Sequence, residues 1–572
     1  MADIFLRPPT CPSLEAWEAA GTELANSMKH YMNLSQRLFA TAMWENMHPI
    51  ILAERIDRSL DFMHRMLDRQ LALSRSMLAR ARNTLMSPAY VLPDEVFAEI
   101  FMNVLYPADK STLGNSMDSR LRTIFPTLFS LMRVSRVWWD VILRRSEFWS
   151  LLPLYIGSHL RCLRAPALGS RRARGPLHLA AVVHKDGHLS HWAVGRSLVD
   201  IRRIRTMNIS TTDQPVEGAM FREFGMHDPG SLGLRELSLH RTQTFLDQNM
   251  IPGGMDLAMP IESPFWTSFL KILKLLSVFR VSGAEFRWNQ MTFSDRLVEL
   301  RLQRVIIGHD STLADFLRKL VSSPALRDLK IISVKTFSDE PATDQRVLLP
   351  NLDSLLLEDI SYNTLRTVLR TISPGSHRLT LFPTHKSKQV VSLGNPEPET
   401  INSEQLNEIM EAVPVDTMLL AGQMQEDDDL QPADEMWLTA SELHGLLASM
   451  PALKTLKANT WVFAKEDWQA MTRTENSRFP RLENLHFSCA FLEDEEFLKP
   501  FVTSHHIQRM TLEGSLSSVE DGVPDYEPLE GGEEIISWLK AKIPDFTLEV
   551  RDPEEENRRE PLEFCSHVWR LW

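Results

Sequence analysis

From residue 200 onward the chain repeats a short apolar core, LxxLxL, with leucine or another apolar residue at its first, fourth and sixth positions. Copies begin at 204 (IRTMNI), 234 (LRELSL), 270 (LKILKL), 297 (LVELRL), 326 (LRDLKI), 352 (LDSLLL), 376 (SHRLTL), 415 (VDTMLL), 453 (LKTLKA), 482 (LENLHF) and 507 (IQRMTL), and FTLEV at 546 suits a closing strand. Their starts lie 24 to 39 residues apart, the spacing of a unit too small to close a core alone. Helix-period stretches such as STLADFLRKLVSS, SYNTLRTVLRTIS, EQLNEIMEAV and SELHGLLASM end just before a copy. Pro324, Pro350, Pro451 and Pro480 stand two residues ahead of the first leucine, where proline stops a helix and favours an extended backbone. A helix, a stop and a half-buried strand repeated in this way predict parallel strands with helices on one face, each unit stacking on the next. A doubly wound sheet would need a glycine-rich turn after its first strand, and the chain has no GxGxxG or GxxxxGK[ST].

The length, 572 residues, exceeds one compact core and suits an elongated array. With 62 Lys and Arg against 75 Asp and Glu, the formal charge of -13 opposes a phosphate backbone, so no nucleic-acid partner is expected. Cys11, Cys162, Cys489 and Cys565 form no CxxC, which fits reduced thiols rather than a disulfide framework or zinc site. No apolar run approaches the ~20 residues of a membrane span, and the N-terminus has no signal-like h-region. A soluble cytoplasmic or nuclear protein without a membrane partner is expected.

Residues 50 to 87 place Ile56, Leu60, Met63, Leu67, Leu71, Leu78 and Leu85 mostly three or four apart, between Pro49 and Pro88, and so predict one long amphipathic helix. Its heptad-like stripe suits a second copy of the helix or its own chain equally. Met63, Met66, Met77 and Met86 are expected in a loosely packed core face. The acidic stretches QEDDDLQPADE (425 to 435) and EDGVPDYEPLEGGEE (520 to 534) read as solvated loop insertions, and RRARG (171 to 175) as a solvated linker before the strand PLHLAAVV.

The segment YVLPDEVFAEIF (90 to 101) opens a helix with an unusually wide apolar face, formed by Val96, Phe97, Ile100, Phe101, Val104 and Leu105. Pro93 suits the first helical position, and Asp94 and Glu95 favour the positive end of the helix dipole. Further on, FPTLFSLMRVSRVWWDVILRRSEFWSLL (125 to 152) carries Leu128, Leu131, Ser135, Trp138 and Ile142 down one helix side and Val134, Val137 and Val141 down the next. One side suffices for a small core. The other predicts a second polypeptide.

Together the two segments resemble an F-box, in the divergent form of fungal proteins where helices precede it and leucine-rich repeats follow. Leu92 and Pro93 match its opening Leu-Pro; Glu95, Val96, Ile100 and Phe101 its first helix; Val134, Ser135, Arg136, Trp138 and Asp140 its VCRRWRD segment; Phe148 and Trp149 its closing LW. The chain departs from the pattern in the long loop 106 to 124 and in Ser135, where cysteine is usual. The resemblance implies docking on the adaptor subunit of cullin-RING ubiquitin ligases through Leu92, Pro93, Glu95, Val96, Ile100, Phe101, Val134 and Trp149, with Trp138 in the core. It also implies a substrate-recognition subunit whose repeat domain binds a client protein. The alternative is a repeat scaffold with a degenerate F-box and no ubiquitin role.

The expected fold is α+β: N-terminal helices (1–87), a small helical F-box-like domain (88–155), a linker (156–176) and an α/β leucine-rich-repeat solenoid with parallel strands (177–572). Along LxxLxL the leucines face the core and the residues between them the concave side. That places Glu236, Ser238, His240, Glu299, Arg301, Gln303, Asp328, Lys330, Ser354, Glu358 and Asn484 as candidate client contacts. No catalytic motif is present: no GxSxG, no HExxH, no cysteine beside a base segment. His184, His188 and His191 sit near metal-ligand spacing but lack a carboxylate or cysteine at a fixed offset. No cofactor, metal or enzymatic activity is expected.

Overall fold

The computed structural model describes residues 11–86, 92–106, 117–156, 172–183, 201–211, 231–241, 266–339, 345–395, 397–422, 424–425, 428–432, 436–474, 478–520 and 523–550. Two compact units divide the chain, Met1–Pro93 and Asp94–Trp572.

In the first unit, helix α1 (Pro12–Trp44) is followed by α2 (Pro49–Arg58), which runs through one π-helical turn (Ser59–His64) into α3 (Arg65–Met86). Pro12 and Pro49 occupy first turns, where the missing N–H costs nothing. The Tyr31 hydroxyl lies 3.3 Å from Ser59 Oγ and 3.4 Å from His64 Nε2, tying the middle of α1 to the π turn. The predicted helix over 50 to 87 is present; Pro88 lies outside the described residues. The expected methionine core is not there. Met66, Met77 and Met86 are exposed, because two helices have only one shared seam, and among the described residues of this unit only Ala42 and Leu52 are buried.

The second unit starts with helices α4 (Asp94–Leu105), α5 (Met117–Val134) and α6 (Arg136–Arg144). Strands then follow in a 16-stranded sheet whose spatial order is the chain order. Each strand of the sheet path from Leu151–Ile156 to Arg509–Glu520 pairs parallel with the next, as strands joined by crossover connections do. This is an α/β solenoid of leucine-rich-repeat type. Leu300, Leu329, Leu355 and Leu379 stand in register on neighbouring strands, as do Leu302, Ile331, Leu357 and Leu381. These ladders are the second and fourth positions of five-residue strands. They are buried under helices that include Asp310–Lys319, Tyr362–Thr371, Ser403–Glu411 and Ala440–Ala448, the ones the sequence predicts.

A left-handed residue follows many strands at once: Gly283, Arg304, Ser333, Asp359 and Thr460 have φ between 48° and 69°. The turn is held by side chains where glycine is absent. Asp359 accepts hydrogen bonds from Ser333 Oγ (2.7 Å), Thr384 Oγ1 (2.8 Å) and Lys386 Nζ (2.7 Å).

Four sequence expectations are corrected. LKILKL at 270 belongs to the helix Trp266–Leu273, and the strand of that unit is Val278–Ser282, built on Phe279 and Val281. The sheet begins one strand before PLHLAAVV, at Leu151–Ile156, which pairs with Leu177–Val183. The acidic stretch after 520 is part of a hairpin, Arg509–Glu520 against Val523–Pro528, antiparallel; Met424–Gln425 and Asp428–Pro432 form a smaller one. Within the RRARG segment Arg172, Arg174 and Gly175 are exposed as expected, but Ala173 is buried and Arg203 donates to the carbonyls of Ala173 and Gly175. Among the described residues no helix is long and apolar enough to cross a membrane.

Candidate protein-docking surfaces

Helix α4 divides its apolar residues between two sides. Phe97, Ala98, Phe101 and Leu105 are buried, with Phe101 4.8 Å and Phe97 6.1 Å from Trp138 between ring centroids. Val96, Ile100 and Val104, four residues apart and therefore in one row, are 39, 43 and 48 % exposed. The helix has more apolar surface than its own domain uses. Val134 and Trp139 are also exposed. Leu92 and Pro93, which end the first unit, are exposed as well.

Two expected docking residues are corrected. Phe101 and Trp149 are each 1 % exposed, and neither ring can meet a partner without opening the module. Trp149 is anchored by Nε1 donating to the Ile142 carbonyl at 2.9 Å, with the Arg172 guanidinium over its ring. Glu95 is exposed and pairs with Arg145 Nη2 at 2.7 Å. Trp138, expected in the core, is half-buried against the α4 phenylalanines.

The second helix of the sequence reading is two helices. Ser135 breaks them with an extended backbone and caps α6, its Oγ accepting from the Trp138 N–H at 3.2 Å. Serine at this place, where the F-box pattern has cysteine, thus has a local reason. Ser135→Ala is expected to lower stability by about 1 kcal/mol and Ser135→Asp to retain it, as read by urea unfolding.

On the open face of the sheet, five-residue strands bury the second, fourth and fifth positions and leave the first and third half-buried. Glu299, Arg301, Asp328, Lys330, Ser354 and Asn484 occupy those open positions, and Glu236 and His240 are half-buried on their strand. Ser238, Gln303 and Glu358 are buried and are corrected as client contacts. Gln303 and Glu358 end their strands and are covered at the turn. Ser238 is a short side chain in register between Asn208 and the long Arg280.

The face is charge-paired at its N-terminal half. Arg280 holds Glu299 through Nε (2.7 Å) and Nη2 (2.6 Å) and reaches Glu236 at 3.9 Å. Burial alone would lower the Arg280 pKa, but these carboxylates raise it, so the cation persists. Lys330 pairs with Asp328 at 2.9 Å. Burial, reinforced by Arg304 and Arg301, pushes His240 down to about 4, leaving it neutral at physiological pH.

Toward the C-terminal half lies a groove of about 570 Å³ whose lining includes Lys330, Ser354, Thr380, Thr417, Lys457 and His486. Thr380, Thr417, Lys457 and His486 are absent from the sequence-based candidates. The same alternation, applied to the copies at 376, 415, 453 and 482, would have found them. His184, His188 and His191 lie outside the described residues.

No family model matches this chain, and no curated protein is similar to it in sequence. Among solved structures it is similar to a chain of the yeast Rad7 and Elc1 complex, at 12 % identity and a TM-score of 0.34, covering 84 % of this chain and 98 % of that one. It is also similar to the leucine-rich repeat-containing protein LegL7 of Legionella pneumophila, at 10 % identity and a TM-score of 0.29, covering 69 % and 98 %. At such scores the likeness assigns no activity or partner.

Proposed function

We propose that this chain is the substrate-recognition subunit of a cullin-RING ubiquitin ligase. The row Val96, Ile100 and Val104 carries the reading: an apolar stripe on α4 left uncovered while the opposite side of the helix is sealed. Val96 and Ile100 match the first helix of an F-box, which the ligase adaptor receives in a groove. The open face of the repeat sheet, with its groove at Thr380, Thr417, Lys457 and His486, holds a client protein. The chain supplies no bond-making group; ubiquitin transfer is accelerated by proximity.

Val96→Glu with Ile100→Glu tests it. Both side chains are exposed, so the fold should persist, whereas a buried apolar side chain contributes ~1.5–3 kcal/mol at an interface. Capture of the purified adaptor subunit is expected to fall at least ~10-fold, the equivalent of about 1.4 kcal/mol. Undiminished capture by the double variant would remove α4 as the docking face. Failure of the unsubstituted chain to capture the adaptor would leave a repeat scaffold with a degenerate F-box.

A further inference from the structure

The first unit carries a surplus of apolar surface that a two-helix hairpin has no use for. One heptad row on α1, Leu24, Met28, Tyr31 and Leu38, includes the Tyr31 contact with the π turn and is itself 36 to 48 % exposed. A second row flanks it. Met32 and Phe39 on α1, Phe62 in the π turn, and Met66, Leu73 and Met77 on α3 are exposed, Phe39 to 70 %, Phe62 to 76 % and Met77 to 69 %. A single seam needs only the narrow row, whereas a helix inside a bundle needs the row and one flank. Both helices have that wider pattern.

Charge indicates what covers it. Residues 11 to 28 hold Glu15, Glu18 and Glu23 and no Lys or Arg, while residues 69 to 86 hold Arg69, Arg75, Arg80 and Arg82 and no acid. Only residues 45 to 48 join α1 to α2, and Tyr31 meets Ser59 and His64 at similar distances along the chain from that joint, so α1 folds back antiparallel to α3, and the acidic start and the basic end lie at the same end of the hairpin. A surface with acid on one edge and base on the other is self-complementary, as an interface about a two-fold axis must be.

We infer that two copies of this chain associate through the helices over residues 12–44 and 49–86 into a four-helix bundle. Each α1 lies between its own α3 and the α3 of the second copy, and neighbouring helices run antiparallel. A stable interface buries roughly 800 Å² per partner. An aromatic side chain brings ~150–250 Å², so two phenylalanines with the flanking Met and Leu row along helices of this length reach that size. Two copies would present two repeat sheets to one client, raising its retention by avidity.

The full-length chain is expected to have a mass of twice 65.6 kDa by light scattering, and Phe39→Glu with Phe62→Glu to halve it while circular dichroism keeps its helical signal. A wild-type mass of 65.6 kDa, or a double variant that stays at twice that mass, overturns the inference. Charge exchange decides the matter independently of any folding defect in that variant. Full-length E15R/E18R and R75E/R82E, differently tagged, are expected to capture each other more strongly than either captures itself. Equal capture in all combinations overturns the bundle.

Discussion

Gly514→Ala is expected to destabilise the second unit by more than about 4 kcal/mol, nearly as much as Gly514→Val. The added Cβ itself does the damage. It would sit 2.2 Å from the Ala490 carbonyl oxygen and 3.0 and 3.1 Å from that residue's C and N, all backbone atoms with no rotamer to escape into. The closeness has a cause in the sheet register. Phe487 pairs with Leu512 but Ala490 pairs with Gly514, so Ser488 and Cys489 together face Glu513. An extra residue on one strand bends it toward its neighbour, and Cys489 absorbs the bend with a φ of 48°. Ser488 Oγ then donates to Glu513 Oε2 at 2.8 Å. Gly422 also makes a close approach, to Thr460, whose carbonyl oxygen lies 2.0 Å from its added Cβ. A glycine set against a backbone carbonyl of the neighbouring strand is therefore what this close approach requires. Gly532→Ala, with nothing within 4 Å of its added Cβ, is the control. Urea unfolding that finds Gly514→Ala within ~0.5 kcal/mol of this control would sink the close approach.

Strands with leucine at the second and fourth positions were legible because that spacing matches the pleat, and ladders such as Leu300, Leu329 and Leu355 then follow from stacking. Val278–Ser282 was not legible as a repeat strand. Its core residues are Phe279 and Val281, and the preceding LKILKL meets a strand pattern and a helix pattern equally. Composition misled at Val523–Pro528, where acids, Pro and Gly suggest a loop, but pairing with Arg509–Glu520 satisfies the backbone groups of an otherwise open edge.

The exposed row of α4 was legible in part. Helical period places Val96 and Ile100 next to Phe97 and Phe101 without saying which pair faces inward; the larger rings went in because Trp138 offers them an aromatic surface. Burial of Gln303 and Glu358 depends on the turn that follows each strand, which a period of two cannot express. Ser135 as a cap needed a chain break that the apolar row through Leu131, Ser135 and Trp138 conceals.

The contribution of Glu285 to stability is expected to fall as pH rises from about 5 to about 8, and Glu285→Gln to remove that contribution. Burial raises the Glu285 pKa from 4.5 to about 8, outweighing the Ile306 N–H it accepts at 2.8 Å and the charge of Arg241. Its second oxygen, Oε2, is shielded from solvent and has no hydrogen-bond partner among the described residues, so the proton is retained in the folded chain. Below 4.5 the carboxyl is protonated in both folded and unfolded chains and folding is undisturbed. Between 4.5 and about 8 the unfolded chain releases the proton while the folded chain keeps it, so stability drops by about 1.4 kcal/mol per pH unit. Above that window both forms are ionised, and the full cost, on the order of 4 to 5 kcal/mol, is in place. Glutamine keeps the acceptor for Ile306 and the shape of the protonated acid without a titrating group. Urea unfolding at pH 5 and at pH 9 should therefore give similar stabilities for the two chains at pH 5 and a more stable Glu285→Gln chain at pH 9. Parallel losses in both chains would place the titration on other groups.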